Sequence, residues 1–213
     1  MHIQVWSDVV CPWCYVGKRR LEAALATFGQ PVTVTFRAFQ LDPAPVPRPL
    51  PVRQVMADKF GGAERAEQML ARVAHLAAAD GITLNFGRAI IANTFDSHRL
   101  IAWAAGQGRQ AEMLEALQKA HFTDGADLGS RSSLATVAGW IGLDPAAALV
   151  YLESSAGADA VNADLAEGRE LGITSVPTFV IDGRFAVQGA QEPATLLAAL
   201  EEIARREAVD AGR

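Results

Sequence analysis

The stretch SDVVCPWCYVGKRRLE, residues 7–22, holds Cys11 and Cys14, the only two cysteines in 213 residues. It begins inside an apolar, β-branched run, IQVWSDVV (residues 3–10), which predicts a first strand. A helix follows at once. Cys11 falls at its N-cap or first turn, and Pro12 suits the first helical position, where its missing N–H had no partner. Val16, Leu21, Ala24, Leu25 and Phe28 then recur at helical spacing, and Gly29 stops the helix.

That placement carries chemistry. A helix N-terminus offers free N–H groups and the positive end of the macrodipole. Both favour thiolate over thiol, so Cys11 is expected to have a depressed pKa. Cys14, one turn inward, is expected to be more buried and less ionised. The asymmetry suits a dithiol centre in which Cys11 exchanges with substrate, a mixed disulfide forms and Cys14 resolves it. Half of a zinc site is a competing use of Cys-x-x-Cys, but zinc needs further ligands. No other cysteine exists, and His2, His75, His98 and His121 are scattered, so no metal is expected. Two inert buried thiols are the third reading; it would place both beside a proline at a helix start by accident.

Composition narrows the partners. Half of the residues are hydrophobic and 20% are charged, the balance of a globular chain with ample core. A net charge of -5 without any basic run argues against nucleic acid. Charges interrupt the Ala-rich pieces, so no membrane span is expected. The start MHIQVWSDVVCPWC lacks a basic flank, apolar region and cleavage site in order, which predicts a cytoplasmic protein. In a reducing compartment two cysteines are not a structural framework, and a bridge over so short a loop would constrain the unfolded chain little.

Outward from the motif, PVTVTFRAFQL (31–41) alternates as a second strand. DPAPVPRPLP (42–51) holds five of the ten prolines, so neither a helix nor a central strand runs through it; it marks a boundary. Residues 53–60 and 64–80 predict two helices broken at Gly61-Gly62. NTFDSHRLIAWAAGQG, RQAEMLEALQKAHFTDG, SRSSLATVAGWIG and DPAAALVYLES each carry helix start and stop signals, without a repeat. Residues 156–171 predict another helix. SVPTFVIDGRFAVQG reads as two short strands around an Asp182-Gly183 turn, and a helix with Pro193 in its first turn closes the chain. The order suits a small mixed sheet with helices on its faces. Pro177, at the first residue of a strand after Val176, would by itself be an ordinary edge proline.

Taken together, the strand, the Cys-x-x-Cys helix start and the late SVPTF before a hairpin and helix resemble the thioredoxin fold. The helical block between the halves resembles the DsbA family. SDVVCPWCYVGKRRLE, NTFDSHRL and GITSVPTFVIDGRFAVQGAQ are similar to its FrnE-like branch, whose relatives include 2-hydroxychromene-2-carboxylate isomerases and kappa-class glutathione transferases. The resemblance implies an α/β, thioredoxin-like fold with an inserted α-helical domain: residues 1–42 and 156–213 as the thioredoxin-like domain, 43–155 as the insertion. It implies a thiol-disulfide oxidoreductase with Cys11 as exposed nucleophile and Cys14 as resolving thiol. Pro177 would be cis against the pair, and the Val176 backbone would pair with an extended substrate. Pro12 and Trp13 fill the positions that tune the potential. Pro-Trp departs from the Pro-His of DsbA and omits a ring that could stabilise the thiolate, so a less oxidising centre is expected. Some FrnE-like proteins carry a second cysteine pair, which this chain lacks.

The implied partners are a thiol or disulfide substrate, peptide or small molecule, with no nucleic acid and no membrane, for a monomer or homodimer. No bound cofactor is expected, with glutathione as the candidate co-substrate. The rival on the same fold is a glutathione-dependent isomerase or transferase; such relatives generally have Ser where Cys11 stands. A second rival is a chaperone-like peptide binder. Accessory candidates are Asp8, as proton acceptor for Cys14 or as loop anchor (the favoured role), and Asn93, Thr94 and His98, which would line a cleft facing the cysteines. Asn93 or Thr94 is at least a helix cap. Lys18 and Arg19 read as an exposed helical face, and Trp6, Trp103 and Trp140 as core or interface aromatics.

Overall fold

The computed structural model describes residues 1–46 and 48–211. Pro47, within the proline-rich connector, lies outside the described residues. Strand β1 (His2–Ser7) leads into helix α1 (Pro12–Phe28), and β2 (Thr33–Ala38) follows. Then come α2 (Val52–Phe60), α3 (Ala63–Ala79), α4 (Phe95–Ala105), α5 (Gln110–Lys119), a π-helical turn (Ala120–Asp124), α6 (Arg131–Trp140) and α7 (Pro145–Glu153). Helix α8 (Ala158–Glu170), strands β3 (Thr178–Ile181) and β4 (Phe185–Gln188) and helix α9 (Pro193–Ala211) complete the chain.

The sheet order is β2-β1-β3-β4. β1 runs parallel to β2 and antiparallel to β3, with Val5 opposite Phe36 on one side and Phe179 on the other. Parallel β1 and β2 need a crossover, which α1 supplies. Antiparallel β3 and β4 need only a tight turn: Asp182 and Gly183 both adopt positive φ, 49° and 67°, as a two-residue hairpin of the type I′ class demands.

Strand alternation sorts the two faces. Ile3, Val5, Phe179 and Ile181 enter the large core with Leu21 and Phe28 of α1, Leu196 and Leu200 of α9, and Leu100, Leu117 and Leu134 of the helical block. Trp6 and Val180 point the other way and meet Ile173. There α8 lies close. A side chain at Gly168 would put its Cβ 2.8 Å from Trp6 Nε1. Asp164 of the same helix accepts from Arg37 Nη1 at 2.7 Å and from the Ala38 amide at 3.0 Å, which ties α8 to β2. A second core joins Tyr15 and Val16 of α1 to Val52, Leu70, Val73, Phe86 and Phe122. Helix α1 therefore joins both cores, the large one through its later turns and the second through Tyr15 and Val16 near its start.

Candidate active site

β1 ends at Ser7, and the turn that follows brings Cys11 to the N-cap of α1, with φ -91° and ψ 113° and Pro12 at the first helical position. The Cys11 amide donates to Asp8 O at 3.1 Å, and Cys11 O accepts from the Cys14 and Tyr15 amides. Cys11 and Cys14 are both free thiols. Their electrostatics split as their positions demand. The Cys11 pKa is lowered, first by a hydrogen bond from the Cys14 side chain; burial opposes this, the Cys14 backbone assists, and the Asp8 charge opposes. The Cys14 pKa is raised well above the ordinary thiol value, first by burial and then by its hydrogen bond to Cys11 and the charge there. Of the two, Cys11 is therefore the more readily ionised and Cys14 the less.

Cys11 is not exposed as the resemblance implied: it is only 4% accessible, while Trp13 is 39% exposed. The cover comes from the other end of the chain. The Val176-Pro177 bond is cis, Cys11 Sγ stands 3.9 Å from Val176 O, and Pro177 O is held by the Gly189 amide at 2.8 Å. Pro177 is buried and Val176 partly so. Underneath, α1 approaches this loop at Gly17, where a Cβ would lie 2.7 Å from Pro177 Cγ. Gly17 is thus part of the site's geometry, and no sequence motif marks it. A glycine in a helix interior costs stability, and this is the signal that could have found it.

Gly17→Ala therefore sets two effects against each other. Alanine gains up to about 1 kcal/mol in helix propensity, and overpacking against the ring costs about 1–3 kcal/mol. The expected result is a lower melting temperature and slower disulfide exchange. A higher melting temperature with unchanged exchange would show that the Pro177 loop yields freely.

Asp8 is fully buried. Its Oδ2 accepts from the Leu41 amide at 2.8 Å, which anchors the chain leaving β2. Its Oδ1 has no hydrogen-bond partner among the described residues. His98, buried on α4, directs Nε2 to Phe39 O at 2.9 Å and stands 3.4 Å from Asp8 Oδ1. Asn93 faces elsewhere. Its amide reaches Pro43 O and Ala44 O at 3.0 and 3.1 Å, and its Oδ1 accepts from the Phe95 amide at 3.0 Å. It thus caps α4 while pinning the proline-rich segment, and it lines a cleft with Val46, Pro49, Asp96 and Arg131. Thr94 occupies the N-cap position, and its Oγ1 accepts from Gln40 at 3.4 Å.

Lys18 departs from its expected exposure. It is 4% exposed and donates to Glu22 and Glu115 at 2.6 and 2.8 Å. Glu115 also accepts from Tyr15 Oη at 2.9 Å and from Arg19. Burial opposes the charge on Glu115, and its hydrogen bonds from Lys18 and Tyr15 overcome that and hold its pKa below the ordinary value. The pairing of α1 with α5 buries the lysine; helix periodicity could not show it. Trp140 is also a correction: it is 53% exposed rather than packed.

A dithiol at a helix N-cap, a cis-proline loop against it and a mixed four-stranded sheet together describe one fold. The profile of the DSBA-like thioredoxin domain matches residues 2–201. The chain belongs to the DSBA-like thioredoxin family. A probable DsbA oxidoreductase from Streptomyces coelicolor superposes with a TM-score of 0.90 at 36% identity, covering 95% of this chain and 89% of that one. The uncharacterized protein YwbO of Bacillus subtilis is 29% identical over 192 residues, 89% of this chain and 90% of its own length. A 2-hydroxychromene-2-carboxylate isomerase shares the fold at a TM-score of 0.71 and 18% identity, covering 98% of each chain. So does the cytosolic disulfide reductase DsbM of Pseudomonas aeruginosa, also determined with GSH, at 0.65 and 21%, covering 96% of this chain and 100% of that one. This DSBA-like protein is an enzyme of the thiol oxidoreductase class, and no helix among its described residues is long and apolar enough to cross a membrane.

Proposed function

We propose that this protein exchanges disulfides through Cys11 and Cys14. The observation that carries the reading is the free Cys11–Cys14 pair at a helix N-cap with the cis Val176-Pro177 bond against it. In the reducing direction, the Cys11 thiolate attacks one sulfur of a substrate disulfide, and the other sulfur leaves as a thiolate that takes a proton from solvent. Cys14 then gives its proton to Asp8 Oδ1, the buried carboxylate oxygen without a partner, and its sulfur attacks Cys11 Sγ. The substrate's second sulfur leaves, so the substrate is reduced and the pair oxidised. The same steps in reverse donate a disulfide.

Val176 and Pro177 form the wall against which an extended substrate lies. Trp13, between the two cysteines, and Leu41, whose amide is held by Asp8, are exposed apolar side chains that a substrate could also touch. Such a wall accepts a peptide or a small-molecule disulfide, and glutathione, bound by the structural neighbour DsbM, is the co-substrate we assign. The reaction belongs in the cytoplasm, because both cysteines serve the redox centre and none remains for a structural bridge.

The test is the equilibrium of the pair against glutathione buffers. A two-electron transition is expected, with a midpoint nearer the roughly -270 mV of thioredoxin than the roughly -120 mV of DsbA. Burial and the Asp8 charge both work against the Cys11 thiolate, and a less stabilised thiolate makes a weaker oxidant. Absence of an intramolecular disulfide at every poise would overturn the reading and favour glutathione-dependent isomerisation on the same fold.

A further inference from the structure

Arg20 lies on α1 three residues past Gly17, and no step of the dithiol reaction uses it. Residues at that spacing share a helix face. Gly17 meets the Pro177 ring, and Arg20, one turn further, reaches the loop that holds Pro177. Its side chain is only 11% exposed, and its guanidinium bridges two distant parts of the chain. Nε donates to Asp80 Oδ2 at 2.9 Å. Nη1 donates to Ala190 O at 2.9 Å and pairs with Glu192 Oε1 at 2.7 Å.

Both ends of this bridge have a physical reason. Asp80 is the C-cap of α3. A carboxylate there meets the negative end of the helix dipole, where a cation is favoured; Arg20 supplies that cation. Ala190 and Glu192 belong to the short connection between β4 and α9, which is folded on itself. The Gln191 amide donates to Gly189 O at 2.9 Å, and the Gln191 side chain donates to Gln188 O at 2.8 Å. Gly189 takes a φ of 79°, a conformation that favours glycine, and its amide donates to Pro177 O at 2.8 Å. The Val176 carbonyl, one residue earlier, stands 3.9 Å from Cys11 Sγ. A continuous path therefore runs from Asp80 of the helical block through Arg20, Ala190, Gly189 and Pro177 to the nucleophile. Among the described residues, Arg20 is the one side chain of α1 that hydrogen-bonds to the 189–192 loop. Its planar fork makes the path directional: with Nε fixed on Asp80, the direction of Nη1 toward Ala190 is fixed as well.

We propose that Arg20 is a positioning residue that holds the Val176-Pro177 wall in place for an extended peptide disulfide, and so sets the preference for peptide over small disulfides. This inference rests on that wall being the substrate surface. A peptide strand laid along Val176 is held by main-chain hydrogen bonds, whose geometry tolerates little displacement. A small disulfide makes no such ladder and needs only access to Cys11 Sγ. The same wall covers Cys11, which is 4% exposed. Loosening it therefore moves two readouts in opposite directions. Capture of an extended substrate weakens, and Cys11 opens to small reagents. Arg20 exchanges no proton and touches no reacting atom, so it acts through the loop alone.

The test compares single-turnover reduction of a fluorogenic disulfide-bonded peptide, reduction of the small disulfide DTNB, and alkylation of Cys11 by iodoacetamide. Methionine is a good helix former, so Arg20→Met leaves α1 intact. It is expected to raise the half-saturating peptide concentration about tenfold, the loss of roughly one well-made hydrogen bond, with the limiting rate unchanged. DTNB is expected to react at least as fast as with wild type, and iodoacetamide about threefold faster, because Cys11 is less covered. Arg20→Lys keeps the charge without the fork and is expected to recover part of the peptide half-saturation. Asp80→Asn leaves Arg20 in place but weakens its anchor. It is expected to move both readouts the same way by less, and it keeps the test open should Arg20→Met fold poorly. Unchanged half-saturation and alkylation in both Arg20→Met and Asp80→Asn would overturn the positioning role. So would an equal slowing of peptide, DTNB and iodoacetamide, the mark of a residue that only supports the fold. A wild-type protein that reduced DTNB without saturating in peptide would instead overturn the wall beneath the inference, and one that reduced neither would overturn the dithiol reading itself.

Discussion

Cys11→Ser is expected to abolish disulfide exchange, and Cys14→Ser to stop it halfway. A serine hydroxyl at position 11 is not ionised near neutral pH and cannot attack a disulfide, so the loss is more than about a thousandfold, down to background. Cys14→Ser keeps the nucleophile. It also keeps a donor toward Cys11 Sγ, the interaction that contributes most to the lowered Cys11 pKa. The first step therefore survives, and a mixed disulfide accumulates that mass spectrometry detects as a single adduct on Cys11. An external thiol can release it, but without the oriented neighbour it does so slowly. Cys14→Ala separates the two contributions. With no donor at position 14 the Cys11 pKa rises, and alkylation of Cys11 near pH 7 slows relative to Cys14→Ser. Equal alkylation rates would show that the helix N-terminus alone sustains the thiolate. Glutathione-dependent turnover surviving in Cys14→Ser would favour an isomerase or transferase.

Arg99→Met is expected to cost about 3–5 kcal/mol of stability, the usual result of breaking a buried charge network from one side. For a chain of this size that lowers the melting temperature by about 10 °C. Arg99 is buried on α4. Its guanidinium donates to four main-chain carbonyls that follow one another around the end of α7: Tyr151 at 3.1 Å, Leu152 at 3.1 Å, Ser154 at 2.6 Å and Ala156 at 2.9 Å. It also pairs with Asp96 at 2.5 Å. The last carbonyls of a helix have no partner within it, and a cation there completes both the hydrogen bonds and the dipole. Methionine fills the volume and leaves the carbonyls and Asp96 unpaired. Lysine keeps the charge but not the planar fork, so Arg99→Lys is expected to recover only part of the loss in a thermal melt. A loss under about 1 kcal/mol in Arg99→Met would mean that water caps the 151–156 segment equally well.

Some parts of this molecule are written locally. Pro12 after Cys11, the Gly29 stop and the Asp182-Gly183 turn each act through one or two backbone dihedrals, so residue identity was enough to place the motif at a helix N-cap and the hairpin before the last helix. The asymmetry of the two thiols also follows from position along α1, because the helix N-terminus and the inward turn are local facts. The strands are legible for the same reason: alternation marks β1 and β2, although β1 ends at Ser7 and leaves residues 8–10 to the turn that aims Cys11.

Other parts required the chain to meet itself. Cys11 is covered because residues 176–177, far away in sequence, close over it. Lys18 is buried because α5 brings Glu115 against α1, whereas Trp140 on α6 stays 53% exposed. Asp8 has one oxygen committed to the Leu41 amide and the other 3.4 Å from His98 only once β2 and α4 have closed around it. Near neighbours along the chain were enough to place the cysteine pair, its helix start and the family's outline. Which polar groups lose water around the pair depends instead on every element that packs there, because desolvation is a property of the assembled fold.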